Sequence, residues 1–294
     1  MSWYFLSAGL ILGGQWAYEE LGWGGFWAWD PVENAALMPW LTGTAFLHSV
    51  MIQEKRNMLK IWNVVLIITT FGLTIIGTFL TRSGIINSVH SFTQSEIGPA
   101  FLVYLALVLI AGFALLFKRI QLLESEYRIE SVLCRENVFL AQNILLVGIA
   151  FTVLLGTTFP LLAEAVRGTK LSIQAPFFNT ITAPMGYALL VLMGIGMLIP
   201  WRRSSLDNFR RNFQNPSIIA TLGTIVLVWL LYEKSFQWGV YIIFWSTIFV
   251  TSTILFELVL ATQMKTRQTK SNILVGLLYV ILRNRRRYGG LLIH

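Results

Sequence analysis

The stretch Ile61-Trp-Asn-Val-Val-Leu-Ile-Ile-Thr-Thr-Phe-Gly-Leu-Thr-Ile-Ile-Gly-Thr-Phe-Leu-Thr81 decides the fold class. It carries no charged side chain before Arg82 closes it, and a helix needs about 20 predominantly apolar residues to cross a bilayer core. Working outward, comparable runs lie at about 2–18, 33–53, 99–117, 138–163, 183–200, 216–232 and 238–262, the first of them short. Together these predict about eight transmembrane helices. A further apolar segment at 272–282 is too short to span and is flanked by Lys270 and by Arg283, Arg285, Arg286 and Arg287, so it is expected to lie in the interface. Composition agrees: of 294 residues 55% are hydrophobic and 12% charged, and the mean hydropathy is +0.66, outside the range of soluble domains. The expected architecture is all-α, a polytopic integral membrane helical bundle forming one domain over 1–294. There is no soluble domain, low-complexity tract or convincing repeat. Gly77-Thr-Phe and Gly156-Thr-Thr-Phe resemble each other, but such small-residue pairs read first as helix contact points.

Charge gives the orientation. With 22 Lys+Arg against 14 Asp+Glu the net charge is +8, but the positive residues sit in short loops between apolar runs. They are therefore topology determinants facing a lipid bilayer, and nucleic acid is excluded as a partner. The 19–32 connection has no Lys or Arg; the next has Lys55, Arg56 and Lys60; the following one holds only Arg82; then Lys118, Arg119, Arg128 and Arg135 come together. The alternation continues to the basic tail. It places the 19–32, 82–98 and 164–182 connections on one outer face, with charges at span ends. The first apolar run lacks a basic n-region and a cleavage site, so no signal peptide is expected and the first span is read as beginning partway along. Cys134, the single cysteine, has no partner for a disulfide or a Cys-x-x-Cys motif and reads as a bystander.

On that outer face lies Trp23-Gly-Gly-Phe-Trp-Ala-Trp-Asp-Pro-Val-Glu-Asn34. It combines aromatic rings with the backbone freedom of Gly24 and Gly25, a platform for a flat, apolar ligand. Asp30 suits the N-cap of the following helix, Pro31 its first position and Glu33 the reciprocal place in a capping box. The aromatic stretch is thereby fastened to the second span, which Pro39 should bend or interrupt. Asp30 and Glu33 are acid–base candidates as well, with capping the simpler role.

Only His48, His90 and His294 are available as imidazoles. His48 precedes Lys55 by seven residues, roughly 10 Å into the membrane from the inner boundary, where a histidine is a functional candidate by default. His294 follows Arg287 by the same interval, in Tyr288-Gly-Gly-Leu-Leu-Ile-His294, which reads as the start of a further span. Two imidazoles at similar depth suit a bis-histidine haem. The plainer alternative is that His48 hydrogen-bonds a neighbouring helix and His294 is an incidental terminus. His90 lies in the outer 82–98 connection, where a histidine is commonly just solvated. Beside an aromatic platform, with Arg82 to pair an anionic group, it becomes a candidate ligand for haem iron.

Trp16 to Asn34 resembles the tryptophan-rich WWD signature of haem-handling proteins, here within 16–40. Several flanking segments resemble the CcmF/NrfE-type cytochrome c haem lyase family in particular: Gly43-Thr-Ala-Phe-Leu-His48-Ser, Gly77-Thr-Phe-Leu-Thr-Arg-Ser-Gly84, Ser88-Val-His90, Ala175-Pro-Phe-Phe-Asn179 and Arg283-Asn-Arg-Arg-Arg-Tyr-Gly-Gly290. The resemblance implies cytochrome c maturation, with this chain as the central portion of a longer or split protein. Haem, delivered by the haem chaperone CcmE, would dock at Trp23, Trp27, Trp29, Asp30, Arg82 and His90. There it would be attached through thioether bonds to the Cys-x-x-Cys-His segment of an apocytochrome c, brought by CcmH-like thiol-reducing, apocytochrome-binding subunits. His48 and His294 would be axial ligands of an integral haem b, and His90 a ligand to the iron of the outer haem. The family's second outer histidine lies upstream of the WWD segment, where this sequence has none. Phe26 stands where many relatives carry tryptophan. The location implied is the bacterial or mitochondrial inner membrane, with the WWD segment on the periplasmic or intermembrane side.

With no suitable nucleophile in the chain, an enzyme of this kind would act by positioning two substrates. A haem transporter or exporter is the nearest rival, but it calls for a path of intramembrane polar groups. A b-haem electron-transfer subunit accounts for His48 and His294 and leaves the tryptophans without a task.

Overall fold

The structure, a computed structural model, describes residues 1–22, 25–83, 97–125, 131–168, 171, 173–201, 204–231 and 238–294, with Arg286 and Leu292 described by their backbone alone. Among them, regular structure is entirely helical. In chain order the helices are α1 Ser2–Glu20, α2 Pro31–Arg56, α3 Lys60–Arg82, α4 Gly98–Lys118, α5 Arg135–Arg167, α6 Ala175–Leu198, α7 Leu206–Leu230, α8 Trp238–Thr269, α9 Ile273–Arg283 and α10 Arg285–Ile293, with a 3₁₀ turn at Ile120–Leu123. Seven of them, α2 to α8, are long and apolar enough to cross a membrane. The expected eighth, α1, is helical over 19 residues but falls short in apolarity: Gln15, Glu19 and Glu20 occupy its last turns. The segment expected in the interface is α9, a short apolar helix. Helices α6 and α7 start well before the apolar runs expected from 183 and 216, because more polar first turns precede those runs, and Pro184 and Pro216 lie inside the helices.

The described residues form two compact units, Met1–Arg128 with Asn143–Met185, and Ile129–Gln142 with Gly186–His294. Lipid is as apolar as the side chains it would replace, so helices in it associate through close packing and interhelical hydrogen bonds. The first unit uses both. The Trp3 indole donates to Thr44 Oγ1 at 2.8 Å and the Trp40 indole to Ser7 Oγ at 2.8 Å, with the two rings stacked 6.2 Å apart. This reciprocal pair ties α1 to α2. Thr70 donates to Thr42 at 2.8 Å, and Asn63 to Gln53 at 2.6 Å, joining α2 to α3.

Pro39 lies within α2 and leaves the Ala35 carbonyl without its usual donor four residues on. Gly77 of α3 packs against that carbonyl: a Cβ at Gly77 would stand 3.2 Å from Ala35 O. The small-residue reading of Gly77 therefore holds. Helix α4 buries only Gly98 and Leu116, leaving an almost wholly apolar outer surface suited to lipid.

The second unit centres on Phe213, Ala220 and Phe249, with Ile195, Leu198, Phe209, Trp245 and Ile248 around them. Trp245 stacks on Phe249 at 5.0 Å and donates to Thr221 at 3.2 Å. Arg135 caps the end of α6, donating to Met197 O at 2.8 Å and Ile199 O at 3.0 Å while its guanidinium lies over Trp201.

Replacing Gly77 with Val should drive a methyl into the Ala35 carbonyl and separate α2 from α3. The expected loss is about 1–3 kcal/mol, measured as a lower unfolding midpoint in detergent, with Gly77→Ala intermediate.

Candidate functional site

The site is built on two carboxylates that the backbone uses. Asp30 Oδ2 accepts from Val32 N at 3.0 Å, and Glu33 Oε2 accepts from Asp30 N at 3.2 Å and from Ala28 N at 3.1 Å. This is the expected capping box, extended by one rung into the loop. It satisfies N–H groups that a helix start leaves open.

Above the cap, Trp29 has φ +61°, a left-handed conformation that costs a bulky residue about 1–3 kcal/mol. Three contacts hold it there. Its indole donates to Asn179 Oδ1 at 2.7 Å, its ring stacks on Phe178 at 4.9 Å and 12°, and its carbonyl accepts from Asn34 Nδ2 at 3.0 Å. The same amide donates to Thr157 Oγ1 of α5 at 3.0 Å. Asn34 is 1% exposed, so a single buried side chain latches the aromatic loop to two helices. Sequence reasoning passed over this role; its signal was a polar residue one turn inside the cap, on a helix face otherwise apolar. Gly156 makes room for the latch, since a Cβ there would stand 2.5 Å from the Phe178 ring.

With one face of Trp29 covered by Phe178, the half-buried Trp27 is the neighbouring ring. It stands edge-on to Trp29 at 5.9 Å and 87°. Its buried indole N–H has no hydrogen-bond partner among the described residues. Trp27 lines a cleft of about 220 Å³ with Gly9, Gly13, Trp16, Val32 and Ala36. A Cβ on Gly9 or Gly13 would meet nothing, so α1 presents bare backbone to that space. The volume is below the about 300–1,000 Å³ of pockets that enclose a whole small molecule. The cleft suits one edge of a flat, apolar ligand lying against the loop. On the far side, Phe26 stacks on Tyr18 of α1 at 4.5 Å and 13°.

Trp23 and His90 lie outside the described residues. Arg82 is the last residue of α3. His48 is half-buried on α2, 18 residues and thus about 27 Å along the helix from Asp30. It belongs to the first unit and His294 to the second. His294 is exposed at the end of α10, with Nδ1 2.6 Å from Gly290 O. A proton on Nδ1 directed at that carbonyl puts the ring's lone pair on Nε2, the tautomer that ligates metals. Cys134 is 1% exposed and donates to Ser131 O at 3.0 Å, and burial pushes its thiol above the ordinary value. It is poorly suited as a nucleophile. The expectation that charges sit only at span ends needs one amendment: Glu257 lies within α8, about 12 Å along the helix from Lys265, ion-paired to Arg287 of α10.

The profile of the family described as "Cytochrome C assembly protein" matches residues 1–86, which hold the tryptophan stretch, His48 and Arg82. The chain is 43% identical over 231 residues to the cytochrome c-type biogenesis protein ccl1 of Rhodobacter capsulatus, an alignment covering 78% of this chain and 35% of that protein. It is 43% identical over 232 residues to the cytochrome c-type biogenesis protein CcmF of Escherichia coli, with the same shares covered. A solved structure titled "Cytochrome c Heme Lyase CcmF" superposes with a TM-score of 0.68 at 34% identity, over 95% of this chain and 42% of that one. The chain is a CcmF-type protein. It is an integral membrane protein, and it spans about a third of the length of the curated relatives it matches.

Asn34→Leu in this CcmF-type chain should leave Trp29 O and the Thr157 hydroxyl without their donor, at a cost of about 1–3 kcal/mol. The loop should loosen before the bundle does. Faster proteolysis or hydrogen exchange over 25–30, with the helices still protected, is the expected result.

Proposed function

We propose that this chain forms the haem-presenting part of a cytochrome c haem lyase. The observation that carries the proposal is the latched loop: Trp29 is spent on holding the backbone, and this leaves Trp27 lining a mainly apolar cleft backed by the bare backbone of α1. Haem is the substrate at this face, gripped by one edge. The resemblance adds Trp23, Arg82 and His90, with Arg82 opposite a propionate and His90 on the iron.

The reaction is addition of a cysteine thiol of the apocytochrome Cys-x-x-Cys-His segment across a haem vinyl group. Sulfur bonds to one vinyl carbon and the proton goes to the other, with no net oxidation. Nothing in that balance requires a nucleophile from this chain, which suits the buried Cys134 and the backbone-bound Asp30 and Glu33. The work of the protein is to fix the plane and edge of the haem so that the thiols meet it in an effectively unimolecular step.

His48 and His294 are each proposed as axial ligands of an integral haem b, which when bound would supply electrons that keep the site reduced. His48 suits this as a half-buried imidazole in a membrane helix, and His294 through its Nδ1 contact with Gly290 O. The partners proposed are CcmE as haem donor, apocytochrome c as acceptor and CcmH-like thiol-reducing subunits. The tryptophan face is proposed to lie on the periplasmic or intermembrane side of an inner membrane.

The test is covalent haem attachment to a co-expressed apocytochrome by the full-length protein. Trp27→Ala should lower it by roughly two- to ten-fold, since a lost ring contact is worth about 0.5–1.5 kcal/mol and 1.4 kcal/mol is ten-fold. Unchanged attachment would sink the presenting role. Separately, His48→Ala should remove the low-spin b-type absorbance of the purified protein while leaving it folded; a retained spectrum rules out His48 as ligand.

A further inference from the structure

Helix α10 runs only from Arg285 to Ile293, and a helix so short has little stability of its own. Gly289 and Gly290 within it are weak helix formers, and a Cβ at either would meet nothing. Its orientation must therefore come from contacts with the rest of the second unit. One of them is the ion pair between Arg287, half-exposed, and Glu257 of α8, which is 16% exposed. Tyr288, the next residue, is 9% exposed and interacts electrostatically with both members of the pair. Arg135, at the start of α5, also feels Glu257 and Arg287. The carboxylate thus interacts with two guanidiniums and a phenol, one from α5 and two from α10.

Register gives this pair its meaning. His294 is seven residues beyond Arg287, and seven residues return a helix to within about 20° of the same face. His294 keeps the helical pattern, its N–H reaching Gly290 O at 3.4 Å. The face of α10 that Glu257 ties down is the face that carries the imidazole, about 10 Å further along. A carboxylate inside a membrane helix is expensive and a functional candidate by default.

We propose that Glu257 is a positioning residue for His294: by holding Arg287 it sets the rotation of α10 and so aims the imidazole at the iron of an integral haem. This rests on the reading of His294 as an axial ligand, and the test separates the two. In the full-length protein, Glu257→Ala and Arg287→Ala are expected to convert the low-spin absorbance to a high-spin or haem-free spectrum. Glu257→Gln, which keeps size and one hydrogen bond, should do so in part. The exchanged pair Glu257→Arg with Arg287→Glu should restore the low-spin form, which a merely structural role for either residue does not require. Hydrogen exchange over 285–293, measured in a haem-free His294→Ala background, should speed up on adding Glu257→Ala. If His294→Ala abolishes the low-spin spectrum while Glu257→Ala changes neither spectrum nor exchange, the positioning role is wrong and the ligand reading stands. If His294→Ala itself keeps the spectrum, the ligand reading fails and takes the positioning role with it.

Discussion

The candidate site depends on one strained residue. Trp29 can hold a left-handed backbone only because its carbonyl, its indole and its ring are each engaged by a different neighbour: Asn34, Asn179 and Phe178. Without them the loop before α2 would relax toward an ordinary conformation, and Trp27 would lose its place beside the cleft. The strain is offset by hydrogen bonds of ordinary strength made in an environment where leaving Asn34, Trp29 O or Thr157 unpaired would be costly. Backbone strain concentrates where function needs a particular geometry, and here it orients an aromatic ring.

The surrounding bundle follows the economics of lipid. With little hydrophobic gain from bringing helices together, the first unit joins them through hydroxyls, indoles and glycines: Trp3 with Thr44, Trp40 with Ser7, Thr42 with Thr70, Gly77 against Ala35, Gly156 under Phe178. Two of these contacts serve the site directly. Gly156 seats the ring on which Trp29 stacks, and Trp40 helps hold α1, whose Gly9 and Gly13 form the back of the cleft.

Much of this was legible in the order of residues, because the deciding signals were local. The span at 61–81, the capping box at Asp30 and Glu33 and the short apolar helix before Arg283 need only neighbours in sequence. The first span, read as short, is α1, whose apolar centre is diluted by Gln15, Glu19 and Glu20. Helices α6 and α7 begin before the apolar runs read at 183 and 216, since their first turns carry polar residues, Asn179 and Thr180 in one and Asp207, Arg210 and Arg211 in the other. What could not be read was pairwise. Asn34 and Thr157 lie 123 positions apart, Trp29 and Asn179 150, and no periodicity links them. Glu257 looked like one more residue of an apolar helix, and only the fold brings Arg287 to it.

Pro39 removes a rung from α2 between its cap at Asp30 and His48. The freed Ala35 carbonyl is met by the close approach of Gly77, and the Thr42 hydroxyl lies 3.3 Å from Met38 O and 3.4 Å from Pro39 O. These supports steady the gap without restoring the missing bond. The helix is therefore softer in bending there than on either side, and behaves as two stiff rods joined at a compliant collar. Bending of α2 is therefore expected at Pro39, between the capped end that carries the tryptophan loop and the turn that carries His48.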